Sequence, residues 1–436
     1  MKVRIVAAVG VATLLVATTC GAAIAEPAAT TATTIAERGT HTAVHADYIR
    51  SGEYWLSQYD IQSAWSTTEG KGITIAVIDT GVAGSVPDLA GAVVGGTDFS
   101  GHGSSNGQTP VGDSDDDSSH GTMVASLAAG RGTGGSDGLI GVAPQANILS
   151  ISIGFGAQAT NSDQQIAEAV TWAVNHGANI INMSLTRNTL TWPPSWDKAF
   201  LYAMQHNVVI VAAAGNRGSG TTEVGAPATM PGVLTVAGVD REEHSSVEAS
   251  SQGITIGVSA PSEQLLGAVP GGGYVQWEGT SGSTPIVAGI VALVMAAHPG
   301  ITADNAINRV VSTARDAGAK GVDPVYGYGL VDAAAAVRDS VASVKTNPMG
   351  SLAAWIHLNR RAQPTAVPTT PPTSASTAAP KAVAAGPQNP LGILYPTPTE
   401  LRNVGLPLGV ILAFVILAIA MIVAAVRQFG RLRRRR

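Results

Sequence analysis

The chain has 436 residues, 45% of them hydrophobic and 51 of them glycine, and carries a formal net charge of −5. That length supports one large α/β domain with appendages. The mild acidity argues against a nucleic-acid partner, because basic residues cluster only at the far C-terminus, in Arg427, Arg431 and Arg433 to Arg436.

Lys2 and Arg4 precede an apolar run from Ile5 to Val16, and Ala23-Ile-Ala25 follows. A charged start, a short apolar core and a small-residue site make residues 1–25 a secretory signal cleaved after Ala25. The lone cysteine, Cys20, falls inside it, so a mature chain without disulfides must depend on core burial. Residues 26–61 are then a polar, Thr/Ala-rich lead running into Tyr54-Trp-Leu-Ser-Gln-Tyr-Asp-Ile-Gln-Ser-Ala-Trp65. It reads as a propeptide or as an extension packed on the domain.

Ile73 to Ile78 is a short apolar β run ending in Asp79-Thr-Gly81. An acid at the carboxyl end of a buried strand lies where open α/β sheets place their sites. Asp98 to Ser119 reads as a loop rich in glycine and aspartate, and His120-Gly-Thr-Met-Val-Ala125 as a helix with His120 at its start. Ile148–Ile153, Asn179–Leu185, Val208–Ala214 and Val233–Ala237 are further apolar strands, with helical stretches over Gln165–His176 and Trp196–His206. This alternation predicts an α/β fold: a doubly wound, mostly parallel sheet with helices on both faces.

Glu278-Gly-Thr-Ser-Gly-Ser-Thr-Pro-Ile-Val-Ala-Gly289 sets a serine at the mouth of a helix that is apolar from Ile286 to Met295. Thr280 and Ser281 are natural N-caps, and Pro285 suits the first turn. A helix apolar all round is buried, and about a dozen residues are too few to cross a bilayer.

Residues 345–401 are rich in Pro, Ala, Thr and Ser, a composition that predicts an extended spacer. Residues 402–427 then hold about 24 uncharged positions, which as one helix cover about 36 Å against a hydrocarbon core of about 30 Å. The arginine-rich tail, 428–436, belongs in the cytoplasm by the positive-inside rule. The expectation is one C-terminal transmembrane helix with the folded part outside the cytoplasm.

Asp79, His120 and Ser281 all stand where a buried strand ends or a core helix begins. A serine hydroxyl is a weak nucleophile until an imidazole takes its proton, and a carboxylate holds that imidazole in the required tautomer. The backbone N–H of Ser281 and the side-chain amide of Asn216, at a strand end, supply the donors that a developing oxyanion needs. Singly, each residue reads as a cap or a turn. Together they point to nucleophilic hydrolysis.

Ile75-Ala-Val-Ile-Asp-Thr-Gly-Val82, His120-Gly-Thr-Met-Val-Ala125, Ala212-Ala-Ala-Gly-Asn216 and Gly279-Thr-Ser-Gly-Ser-Thr-Pro-Ile-Val-Ala-Gly289 resemble the signature segments of subtilisin-like serine proteases. The order Asp, His, Ser is also that family's. The resemblance covers Gln62 to Val341, within an expected protease domain at 62–344. It implies Asp79, His120 and Ser281 as the catalytic triad, and Asn216 with the Ser281 N–H as the oxyanion hole. It also implies a substrate site built from Ser184, Leu185, Thr186, Ala212, Ala213, Ala214, Gly215 and Gly225. Thr186 stands where glycine is frequent, Met123 where a second histidine is common, and Gly282 and Ser283 where Met and Ala are usual. None of these departures removes a catalytic group. The chemistry requires no cofactor; structural calcium is frequent in the family, but the spacing here shows no ligand set.

Signal, lead, protease domain, the Tyr326-Gly-Tyr-Gly-Leu-Val-Asp332 ending, proline-rich spacer and tail anchor together resemble mycosins. These are membrane-anchored subtilases associated with type VII secretion in actinobacteria. That resemblance implies an endopeptidase acting on exported proteins or peptides, in contact with the membrane and a type VII secretion complex. The alternative is a scaffold of that complex in which catalysis is dispensable. Asp115, Asp116 and Asp117 read as a solvated or metal-binding loop, or as a carboxylate patch for basic substrate side chains.

Overall fold

The computed structural model describes residues 33–34, 44–134, 137–156 and 161–360. The expected signal, the membrane span at 402–427 and the tail at 428–436 lie outside the described residues, as does the spacer beyond residue 360.

A two-residue strand, β1 (Thr33–Thr34), and three short helices, α1 (Val44–Gly52), α2 (Trp55–Gln58) and α3 (Ile61–Ala64), lead into the sheet. Its seven strands are β2 (Thr74–Asp79), β3 (Val93–Asp98), β4 (Asn147–Ser152), β5 (Ile180–Met183), β6 (Val209–Ala213), β7 (Leu234–Val239) and β8 (Ile256–Pro261). They lie in the order β3-β4-β2-β5-β6-β7-β8, and every pairing is parallel. Parallel neighbours need crossover connections. Helices α4 (Asp115–Ala129), α5 (Ser162–Asn175) and α6 (Pro194–Gln205) supply three of them. An antiparallel hairpin, β9 (Leu265–Ala268) and β10 (Tyr274–Trp277), comes next, and β1 pairs with β10. Four helices complete the fold: α7 (Thr280–Ala297), α8 (Ala303–Ser312), α9 (Ala333–Arg338) and α10 (Leu352–Asn359).

Alternation along β2 sorts the two layers. Ile75 and Val77 join the core shared with α4 and α7, whereas Ala76 and Ile78 join the core shared with α5 and α6. Asp79 continues the odd-numbered series and therefore faces α4. The strand order also reverses at β2, since the chain leaves it for the β3 edge, returns through β4 and crosses to β5. The crevice beyond the carboxyl ends at such a reversal is where doubly wound sheets hold their ligands. α7 fills the centre of the first layer; although apolar enough for a bilayer, it is 83% buried within the fold.

The structure corrects several expectations. α4 begins at Asp115, so His120 sits in its second turn. Ser114 is the N-cap, its Oγ accepting the Asp117 N–H at 3.1 Å. Asp115, Asp116 and Asp117 are thus helical, in the first turn, where the helix dipole favours carboxylates. In α7 the N-cap is Gly279; Thr280 and Ser281 are the first helical residues, and Pro285 lies in the second turn. The packed structure also continues past residue 345 into α10. There Leu352 is buried, Trp355 lies 4.4 Å from Trp192 between ring centroids, and Arg360 pairs with Asp197 at 2.8 Å. In the lead, Ile49, Tyr54, Trp55, Leu56, Tyr59 and Ile61 are part of the α4–α7 core itself. β3, β8 and the hairpin were not foreseen.

Candidate active site

Asp79, the last residue of β2, is fully buried. Its Oδ1 accepts the Thr80 N–H at 2.7 Å and lies 2.8 Å from His120 Nδ1, while Oδ2 takes no hydrogen bond from protein. Facing a carboxylate oxygen, Nδ1 carries the proton, which leaves Nε2 as the acceptor. Close approach of α4 to β2 makes this contact. The Gly121 N–H donates to Thr80 Oγ1 at 2.9 Å, and a Cβ on Gly121 would collide with the Gly81 carbonyl. Trp277 packs edge-on against the imidazole, with ring centroids 5.7 Å apart, and 27% of the His120 side chain stays accessible. Burial pulls the imidazole pKa down. The Asp79 charge, its hydrogen bond and the Asp117 charge outweigh that effect and hold His120 above the ordinary histidine value.

Ser281 is the second residue of α7, and its backbone is fixed by a proline four positions on. Pro285 has no N–H to give the Ser281 carbonyl, so the helix leaves that oxygen unpaired. Ser184 Oγ fills the gap, donating to it at 2.8 Å while accepting from Asn182 Nδ2 at 3.0 Å. The Ser281 hydroxyl in turn donates to the Ser184 carbonyl at 3.2 Å. Asp79 and His120 are therefore joined by a hydrogen bond, whereas the Ser281 hydroxyl rests on Ser184. Trp277 bridges the two regions. It faces His120 on one side, and its Cζ2 is 3.4 Å from where a Cβ on Gly282 would stand.

Asn216 follows β6. Its Oδ1 accepts both the Thr280 N–H and the Thr280 hydroxyl, at 2.9 Å each. A backbone N–H can only donate, so the amide orientation is settled and Nδ2 is free on the other side. A Cβ on Gly279 would come within 2.8 Å of Nδ2, and Gly279 has φ +129°, so glycine alone leaves the amide room. Thr280 Oγ1 also accepts the Gly215 N–H at 3.1 Å, which ties the β6 end to the start of α7. The Ser281 N–H, in the first turn, has no partner within the helix. Two donors, the Ser281 N–H and Asn216 Nδ2, thus stand at the start of α7.

Residues 70–329 match the subtilase family. The chain is a subtilase. It is 33% identical over 291 residues to thermitase of Thermoactinomyces vulgaris, covering 67% of this chain and 98% of thermitase. Against subtilisin E of Bacillus subtilis the identity is 34% over 297 residues, covering 67% and 73%. Among solved structures, MycP1 from Mycobacterium smegmatis superposes with a TM-score of 0.58 at 30% identity, covering 73% of this chain and 90% of that one. The MycP3 protease from the type VII (ESX-3) secretion system gives 0.57 at 30%, covering 71% and 92%. Both the doubly wound fold and the subtilisin-like serine endopeptidase class read from the sequence agree with these relatives.

The remaining residues foreseen for substrate binding divide in two. In the subtilase, Ser184, Thr186, Gly215 and Gly225 lie together past the ends of β5 and β6; a Cβ on Gly225 would stand 2.7 Å from Thr186 Oγ1. Leu185, Ala212 and Ala214 instead pack into the core on the α5 and α6 side, and Ala213 is buried. Thr280, Trp277 and Asn182 were missed as positioning residues. Only the threonine left a signal, in its place beside the serine. Among the described residues, no three His, Cys, Asp or Glu side chains converge to hold a metal.

Proposed function

We propose that Ser281 attacks the scissile peptide carbonyl, with His120 as general base and Asp79 holding the imidazole. The observation that carries this reading is the 2.8 Å bond from buried Asp79 Oδ1 to His120 Nδ1, which presents Nε2 as an acceptor. The Ser281 hydroxyl leaves the Ser184 carbonyl and gives its proton to Nε2 as its oxygen bonds to the carbonyl carbon. Negative charge then builds on the former carbonyl oxygen between the Ser281 N–H and Asn216 Nδ2. His120 returns the proton to the leaving amine, and an acyl-enzyme remains. Water, deprotonated by the same imidazole, attacks that ester and regenerates Ser281. No cofactor enters any step.

The finer setting is proposed with it: an extracytoplasmic subtilase anchored through residues 402–427, which processes exported proteins of a type VII secretion system. The signal-like and span-like compositions at the two ends support this, as does similarity to proteases described as parts of type VII systems. The test is labelling of the full-length protein in membranes with a fluorophosphonate. We expect modification at Ser281, lost in Ser281→Ala and strongly slowed in His120→Ala. A folded wild-type protein that does not label at Ser281 rejects the mechanism.

A further inference from the structure

Two neighbouring strand ends flank Ser281. Ser184, just past β5, exchanges hydrogen bonds with it, and Gly215 and Asn216, past β6, are bonded to Thr280 beside it. The crevice between these ends lies next to the serine. In this chain the crevice already has an occupant.

Thr186 lies two residues beyond Ser184. A Cβ on Gly215 would stand 3.1 Å from Thr186 Cγ2, 2.6 Å from Thr221 Cγ2 and 3.1 Å from Ser251 Oγ, and one on Gly225 only 2.7 Å from Thr186 Oγ1. One threonine side chain therefore spans the gap between both glycines. The walls around it are fixed. Thr221 and Ser251 are buried, the Ser251 hydroxyl donates to the Thr221 carbonyl, and the Ser251 N–H donates to the Gly215 carbonyl at 2.7 Å. Thr221 Oγ1 is bonded in turn to Asn188 Oδ1.

We propose that Thr186 closes this crevice to all but small side chains, so that the enzyme cleaves after glycine, alanine or serine and rejects leucine, methionine and the aromatic residues. The proposal rests on Ser281 being the nucleophile. Each methylene that a filled pocket must accommodate costs roughly tenfold or more in kcat/KM.

The test compares peptidyl diphenyl phosphonates ending in alanine or phenylalanine, alongside a fluorophosphonate with no peptide part, on the full-length protein in detergent. Wild type should react with the alanine reagent at least about tenfold faster than with the phenylalanine one. Thr186→Gly should raise the phenylalanine rate by a similar factor, while Thr186→Val, which keeps the volume, should preserve the wild-type ratio. Equal alanine and phenylalanine rates in the wild type, or a ratio unmoved by Thr186→Gly, overturn the proposal when the fluorophosphonate still labels Ser281. If the fluorophosphonate fails as well, the nucleophile assignment has failed and the pocket assignment falls with it.

Discussion

Asn216 and Thr280 are locked together by two hydrogen bonds, the amide oxygen accepting from both the N–H and the hydroxyl of the threonine at 2.9 Å. The aim of the Asn216 amide nitrogen is therefore set by a residue with no chemical role of its own. Asn216→Leu should lower kcat roughly 100–1000-fold with little change in KM. Thr280→Val removes one of the two bonds, together with the acceptor of the Gly215 N–H, and should lower kcat by at least about two- to tenfold, one net hydrogen bond being worth about 0.5–1.5 kcal/mol. Steady-state peptide hydrolysis measures both; an Asn216→Leu enzyme with undiminished kcat rejects the oxyanion role.

The pH dependence follows from His120. The base must be neutral, and its pKa lies above the ordinary value of 6.5, so kcat/KM should fall on the acid side with a midpoint above 6.5. Asp117→Asn removes one of the charges that raise it, and the midpoint should move to lower pH. The same shift has a stability counterpart. A raised imidazole pKa stabilises the fold below the unfolded histidine pKa, and that contribution is lost as pH rises through the folded value. Profiles of wild type and Asp117→Asn that coincide would contradict the assignment.

Ser184→Ala should destabilise the fold by about 1–3 kcal/mol, because one buried and one half-buried group lose a partner at once. The Ser281 carbonyl, already denied a helical donor by Pro285, loses its hydroxyl, and Asn182 Nδ2 loses its acceptor. Calorimetry should show the lower Tm, and turnover should drop with it as Ser281 loosens.

The lead segment sets a limit on maturation. Ile49, Tyr54, Trp55, Leu56 and Tyr59 are core residues, the Tyr54 hydroxyl donates to the Glu263 carbonyl at 2.8 Å, and the Tyr59 carbonyl accepts the Ala333 N–H at 3.1 Å. The N-terminus of the mature protein should therefore lie upstream of Ile49, which N-terminal sequencing would establish. Trp55→Ala should cost about 3–5 kcal/mol, as for other large core side chains.

The sequence singled out Asp79, His120, Asn216 and Ser281, single residues in small-residue motifs at element ends, and the structure bonds Asp79 to His120 and Asn216 to the start of α7. The sequence also revealed the sheet class, since buried parallel strands are continuous apolar runs. What escaped was decided by tertiary contact. Asp115 to Asp117 looked like loop, yet carboxylates suit a helix N-terminus and Ser114 caps one there. Ser351 to Arg360 reads as spacer from its sequence because Trp355 finds its partner only in Trp192, far away in the chain. β3, with two glycines in Val93-Val-Gly-Gly-Thr-Asp98, has none of the apolar continuity that marks the inner strands. Trp277 and Thr280 act through partners distant in the chain, which no local pattern announces.

Arg360, the last described residue, donates to Asp197 Oδ2 at 2.8 Å and to the Trp192 carbonyl at 3.0 Å, with its guanidinium 5.1 Å from the Trp355 ring centroid. Asp197 belongs to α6, and α6 leads directly into β6, the strand followed by Asn216. Any tension on the chain beyond residue 360 would therefore meet this rivet first and, through α6, reach the strand that Asn216 follows. The end of the described chain is thus tied to the helix that leads straight into the strand before Asn216.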